Sequence, residues 1–463
     1  MMNKTKVVFY RGTRGMGIVI SVSYEKDRVI FDFGAPFTPL AEVYDGTVLH
    51  RQTNAVKDAL LLGRIPMVPY VFSKEDLQDI PLEAYGESDL NTAVLICHLH
   101  LDHMSEIDKV DPHIPVYIHE DGLKLLQALD ECEGKKERRS YSGFRYHEEI
   151  RVGQISVMPY FSDHPCPGSS SFLIRTPDSL ICYSGDIRCH GVRHEEAFAE
   201  TEAIGKEKVD LLIIDSTTTS PSEFIYDEET IRELYRTPSK QCLKGCISEE
   251  GIYEAITDTL KGSDALGIIN CYPRDTGMMK ELIRHAEMIG RKMIFEPSYA
   301  YILYQVTGVK AAVYEDSNDR YILNGGKLKD FETVSCDTIR ENPGHYILQN
   351  SYRNILDLTD YDGIEGHYFH LFGEPLVKGQ KEYQIMENMV NKLEWTFHTY
   401  TNLYSFSHCY PNHLQYVISQ IDPKSIVAVH SKKPELLEPI TGKQYYPEEG
   451  KEYVLENGEL VEV

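Results

Sequence analysis

The sequence predicts an α/β protein: a sheet-built unit that carries a row of metal-binding side chains, is interrupted by a second α/β unit, and then resumes. Three observations lead there. Successive strand-length apolar runs end in aspartate or histidine. From about residue 219 the pattern changes to helical stretches alternating with short apolar strands, as parallel βαβ units require. Strand-then-histidine segments return late in the chain, at His408 and His430.

The N-terminal part reads as strands in sequence. Lys6–Tyr10 leads through the glycine-rich Arg11–Gly17 turn into the alternating run Ile18–Tyr24, and Val29–Gly34 follows with Asp32 near its end. Residues 60–70 read as a segment near the entrance of a site. The apolar run Ala93–Cys97 then opens directly into His98, Leu99, His100, Leu101, Asp102 and His103, which puts four potential metal ligands within six residues. Alternation places His98 and His100 on one side of an extended chain, and leaves Asp102 and His103 at the following turn, aimed at a second ion. Imidazole nitrogens and carboxylates suit zinc or manganese.

The same logic repeats downstream. An amphipathic helix is expected over 121–131 and a solvated, charge-dense loop over 133–139. The strand from Ile155 ends in Asp163-His164, and a new strand runs over Ser171–Arg175. Ser179–Tyr183 ends in Ser-Gly-Asp186, where the glycine allows close backbone approach. Asp210–Ile214 ends in Asp215. Beyond it, helices are expected over 227–236, 250–260 and 275–288, and strands over 266–272, 291–296, 345–348 and 366–372. Arg274 is a candidate phosphate contact, with pairing to Asp275 or Glu281 as the alternative. A strand before His408, a helix starting at Pro411 and the strand Ser425–Val429 before His430 bring the chain back to the first unit.

Length and composition bound the answer. A chain of 463 residues exceeds one ordinary core, and units over 1–218, 219–390 and 391–463 are expected, the first and last forming one domain. With 42% hydrophobic and 26% charged residues the composition is that of a soluble globular protein. No window approaches the ~18–20 apolar residues of a membrane span, and the N-terminus lacks the apolar region of a secretory signal. Ten cysteines are scattered without a C-x-x-C pair, Cys242 and Cys246 being only loosely spaced, so free thiols and a cytoplasmic location are expected. Lys and Arg number 47 against 72 Asp and Glu, for a net charge of −25. That disfavours tight, non-specific polyanion binding by the chain as a whole. It leaves room for a local groove in which bound divalent cations supply the positive charge.

The H-x-H-x-D-H run, the later His164, Asp186 and His430, and the phrase Tyr183-Ser-Gly-Asp-Ile-Arg188 together resemble the metallo-β-lactamase superfamily. Asp215 followed by Ser-Thr, the inserted α/β unit and the paired segments at His408 and His430 are similar to its β-CASP branch, which includes ribonuclease J-like RNA-processing nucleases. The resemblance implies an αββα sandwich with an inserted β-CASP-like domain. It implies two divalent ions, zinc or else manganese: His98, His100 and His164 on one, Asp102, His103 and His430 on the other, and Asp186 bridging. Asp32 takes the place of a carboxylate that orients a ligand, although an aspartate there also serves as a turn former. Asp102, Asp215 and His408 take catalytic places. The implied activity is a two-metal-dependent phosphodiesterase, a ribonuclease cleaving single-stranded RNA by attack of metal-activated water on phosphorus. A histidine at the place of His430 accompanies RNA-acting members of the branch. Two departures stand out: Phe406-Ser407 precedes His408 where the branch usually carries a glycine, and Ser431-Lys432-Lys433 follows His430. The C-terminal domain of longer ribonuclease J proteins is not expected. The ligand set alone also permits a metallohydrolase of a small ester, thioester or lactone, and a DNA-acting nuclease is a variant of the first reading. A non-catalytic scaffold would show lost ligands, and all seven are present. Expected partners are single-stranded RNA and no membrane, with a homodimer left open.

Overall fold

A computed structural model of the chain describes residues 4–36, 48–135, 139–219, 229, 233, 236–242, 247–319, 326–376, 378–400 and 407–463. The helix expected over 227–236 and the strand expected before His408 fall on residues outside this set, as does Cys246.

Two sheets pack face to face. The first has eight strands in the order Glu459–Glu462, Glu452–Glu456, Lys6–Arg11, Val19–Tyr24, Asp27–Phe31, Asn91–Leu95, Val116–His119 and Ser142–Phe144. The second has seven: Lys443–Tyr445, Ser425–Val429, Leu211–Asp215, Leu180–Tyr183, Ser170–Arg175, Ile155–Phe161 and Ile150–Val152. Strand alternation sends Val7, Phe9, Ile20, Phe31 and Leu95 from the first sheet, and Val157, Phe172, Ile174, Tyr183, Ile213 and Val427 from the second, into one core between them. The opposite residues of the second sheet, Leu173, Cys182, Leu212 and Ile426, meet the helices His194–Ile204 and Pro411–Ile421. The outer face of the first sheet is covered by the helix Glu120–Glu133, capped at its start by His119 Nδ1 accepting from the Asp121 amide and stopped by Gly134 at φ 63°. The result is an αββα sandwich, as the motifs implied.

The third sheet has seven strands, all parallel: Thr333–Val334, Ala312–Tyr314, Lys292–Phe295, Tyr346–Gln349, Leu266–Cys271, Gly366–Leu371 and Thr396–Thr399. Helices cross between the strands, among them Glu249–Leu260, Thr276–Met288, Pro297–Thr307 and Lys381–Lys392. Asp275 caps Thr276–Met288 by accepting from the Met278 amide at 2.9 Å. The strand Thr396–Thr399 corrects the expected return at 391. Its backbone pairs with Gly366–Leu371, so this sheet still holds the chain past residue 390. The helices Glu120–Glu133 and Pro297–Thr307 both supply side chains to one apolar core, which runs continuously from the first sheet to the third.

Parallel pairing explains where polar residues collect. The chain leaves Asp27–Phe31 and Asn91–Leu95 side by side, and it leaves Leu180–Tyr183, Leu211–Asp215 and Ser425–Val429 side by side. Asp215 pairs with Val429, so His430 emerges one residue beyond it. Strand carboxyl ends at one edge deliver their following residues to one place.

Candidate metal centre

At that edge, Asp32 reaches the centre first. It sits at φ 60°, a left-handed conformation that aspartate tolerates better than most residues. Its Oδ1 accepts from the Cys97 amide at 2.7 Å, and its Oδ2 accepts from Tyr183 Oη at 2.6 Å and from His103 Nδ1 at 2.9 Å. This carboxylate therefore fixes the ring of His103. Asp102 and His103 lie not in a turn but on a one-turn helix, Leu101–Met104. Two backbone segments lash that helix down: Ile18 donates to the Asp102 carbonyl at 3.0 Å, and Phe33, just after Asp32, to the His103 carbonyl at 2.7 Å. A Cβ on Gly34 would stand 1.9 Å from the Asp102 carbonyl oxygen, so only glycine allows this approach.

His98, His164, His408 and His430 are held in the same way, through Nδ1, whereas His100 turns its Nδ1 inward, 2.9 Å from His164 Nε2. His164 Nδ1 donates to the Ser407 carbonyl at 2.8 Å, and His430 Nδ1 meets Thr217 Oγ1 at 2.6 Å. His98 Nδ1 lies 3.1 Å from Cys97 Sγ. His408 Nδ1 donates to Asp215 Oδ2 at 2.7 Å. The opposite nitrogens converge. Donor atoms of His98, His100, His164 and Asp186 lie within 4.8 Å of one another, as do those of Asp102, His103 and His430. Asp186 stands between the groups: Oδ1 is 3.3 Å from His103 Nε2, and Oδ2 is 3.7, 3.8 and 3.9 Å from Nε2 of His98, His164 and His430.

These residues fit divalent ions. Nε2 of His98, His100 and His103 is buried without a hydrogen-bond partner, which a protein rarely tolerates unless something else binds there. The separations from Asp186 are mostly too long for hydrogen bonds. They match two donors on one tetrahedral ion, which stand about 3.4 Å apart when each bond is about 2.1 Å. An outer partner on Nδ1, as His98, His103, His164 and His430 have, is the arrangement that orients a metal-ligating imidazole.

Electrostatics divide the imidazoles. Burial pushes His98 and His164 far below the usual histidine range and His100 down to about 3, so these rings are neutral, as ligation requires. Burial also works against the charged forms of His103 and His430, but the surrounding carboxylates together outweigh it, Asp186 foremost with Asp102 and Asp32 at His103 and with Asp102 and Asp215 at His430, holding His103 well up and His430 at about 9. Burial opposes ionisation of Asp186 as well, yet His103 and His430 hold it well below the carboxylate range. Protons on these rings thus balance the carboxylates until cations replace them.

His408 lies at the mouth of the centre, its side chain 13% exposed against 1% for Asp215. Burial lowers its basicity, but the charge and hydrogen bond of Asp215 raise it above the usual value. Asp215 Oδ1 accepts from Thr217 Oγ1 at 2.7 Å, so Thr217 ties Asp215 to His430. All the sequence-predicted site residues thus meet at one edge of the sandwich. Thr217 and Tyr183 were not among them. Thr217 carries a sequence signal, a hydroxyl two residues after Asp215; Tyr183 carries none. Arg274 takes neither expected role: its Nη1 donates to the Leu99 carbonyl at 2.7 Å, and the neighbouring Tyr272 ring packs edge-on to His100 at 5.5 Å.

A profile of the beta-lactamase superfamily domain matches residues 74–249, the stretch that carries the H-x-H-x-D-H run, His164, Asp186 and Asp215. Over that stretch the chain is similar to the metallo-β-lactamase superfamily. The chain is similar to a ribonuclease J of Pyrococcus abyssi, 25% identical over 64% of this chain and 59% of the relative. It is also similar to a mouse DNA cross-link repair 1A protein, 28% identical over 38% of this chain and 17% of the relative. These matches span well under two thirds of either relative's length. The likeness to both is what the β-CASP resemblance implied. A solved structure of an Enterococcus faecalis V583 protein of unknown function matches 98% of this chain and 100% of its own, at 25% identity and a TM-score of 0.78.

Proposed function

We propose that the protein is a two-metal phosphodiesterase acting on single-stranded RNA. The observation that carries this reading is the Asp215–His408 pair beside two converging groups of metal-type ligands. His98, His100 and His164 would hold one ion and Asp102, His103 and His430 the other, with Asp186 shared; zinc suits the set and manganese is the alternative. Bound divalent ions supply positive charge against the phosphate and lower the pKa of water in contact with them. The division of the chain into a sandwich and an inserted unit is part of the same reading, with the RNA strand running between them. The similarity to a ribonuclease J supports RNA as the substrate.

The chain's own residues do the rest. Asp215 accepts the Nδ1 proton of His408, which leaves Nε2 as the nitrogen that exchanges a proton with substrate. Because Asp215 raises its pKa, His408 is more often protonated near neutrality than an ordinary histidine, and can donate to a phosphate oxygen or the leaving 3′-oxygen. Asp32, Thr217, Ser407 and Cys97 keep the imidazoles aimed inward. Tyr272, edge-on to His100, offers a ring for the strand.

The test is metal-reconstituted protein given end-labelled single-stranded RNA, single-stranded DNA and a generic ester. RNA cleavage that disappears in Asp186→Ala is expected. Hydrolysis of the ester alone selects the second reading, a small-ester hydrolase, which the net charge of −25 favours. Preference for DNA selects a DNA-acting nuclease.

A further inference from the structure

A buried ionic cluster lies behind the metal centre, and the chemistry above does not use it. Arg188 is 4% exposed; its Nη2 donates to Asp163 Oδ1 at 3.1 Å and to Glu249 Oε2 at 3.0 Å. Asp163 precedes His164, and Arg188 follows Asp186 by two residues. Glu249 opens the helix Glu249–Leu260, which feeds the third sheet. The amides of Gly191 and Val192 donate to Asp163 Oδ2 at 3.0 Å and to Glu249 Oε2 at 2.9 Å, and Tyr253 Oη donates to Glu249 Oε1 at 2.7 Å. The Glu249 amide donates to the His190 carbonyl at 3.0 Å, and the Arg188 amide to the Asp163 carbonyl at 2.6 Å. A Cβ on Gly191 would stand 2.4 Å from Arg188 Nη2 and 2.5 Å from Asp163 Oδ1, so the chain closes over the pair only because glycine is there. A buried ion pair is weak evidence for stability, because desolvation of both charges offsets their attraction. What this one does by geometry is join the loop of His164, the loop of Asp186 and the helix Glu249–Leu260 through one planar, multiply donating group.

We propose that Arg188, clamped between Asp163 and Glu249, is a positioning residue that couples the seating of the inserted unit to the geometry of the metal centre. The inference rests on reading that centre as a metal site. Movement of the helix Glu249–Leu260 pulls on Glu249, hence on Arg188, hence on the two loops that aim His164 and Asp186. The metal should accordingly be held more weakly when the clamp is loosened, even with every ligand present.

The experiment uses the full chain and zinc, with Glu249→Gln and Arg188→Lys, the milder Tyr253→Phe, and Glu250→Gln as control, since Glu250 pairs at the surface with Arg284. Two quantities are read: the rise in Tm on adding zinc to the metal-free protein, and the rate of zinc loss to excess chelator. In Glu249→Gln and Arg188→Lys the zinc-induced rise shrinks and zinc loss quickens by at least about tenfold, the scale on which partners of metal ligands act. Tyr253→Phe moves both in the same direction by less, and Glu250→Gln moves neither. If the clamp variants lower Tm equally with and without zinc, so that the rise is preserved, the cluster is merely structural and the inference is overturned. If the unmodified protein shows no rise at all, the metal reading falls, and this inference with it.

Discussion

His408 depends on one hydrogen bond, and that bond sets a pH dependence. Asp215 raises the His408 pKa, so the protonated form persists above the ordinary histidine value of about 6.5. If His408 is the proton donor, RNA cleavage falls at alkaline pH as this proton is lost. Asp215→Asn moves that limb to lower pH, measurable in a kcat profile. His408→Ala lowers kcat by about 10²–10⁴-fold with little change in KM, the usual contribution of a positioned acid. The same shift affects folding: a raised histidine pKa contributes stability that is fully present below the unfolded value and is lost as pH rises through the folded one. Thr217 is the second residue to test. Thr217→Val breaks the link between Asp215 and His430, and zinc affinity falls by about 10–100-fold in equilibrium titration. His430 itself, at about 9 before metal is bound, must give up its proton to bind a cation. Zinc affinity measured with a competing indicator therefore climbs from neutral pH toward that value.

At the scale of elements, the site depends on strand ends and on one short helix lashed to the backbone at Ile18 and Phe33. Most strands and their terminal acids or imidazoles were legible, because a buried strand needs a run of apolar residues and its end needs polar ones. His98, His164, Asp186 and His430 all lie just beyond such runs. The helix Leu101–Met104 was not legible. It is a single turn, too short for periodicity, and it stands because backbone groups of Ile18 and Phe33 satisfy its carbonyls. Gly34→Ala tests this directly. The added methyl meets the Asp102 carbonyl, so the helix must shift, and bound zinc measured by metal analysis falls below that of the unmodified chain. The late strand Thr396–Thr399 escaped detection for the opposite reason. Its residues are only half-buried, so the apolar signature of a core strand is missing.

For the whole molecule, the net charge of −25 sets the terms of substrate binding. A strongly acidic protein repels a polyanion unless cations are bound where the phosphate goes. Fluorescence anisotropy with a short labelled RNA should show binding that chelator abolishes and added zinc or manganese restores, using Asp215→Asn/His408→Ala to prevent cleavage. Among the described residues no helix is long and apolar enough to cross a membrane. The sequence by itself determined the α/β class, the order of the strands, and the residue types at their ends, because burial period and turn chemistry are local properties. It also marked the inserted unit, since alternating helices and strands demand a parallel sheet. Only the tertiary structure decided that side chains from His98 to His430 face one another, that Asp186 stands between two groups, and that Thr217 and Tyr183 hydrogen-bond to their neighbours. Those facts depend on distances between residues hundreds of positions apart, which packing sets and no local pattern records.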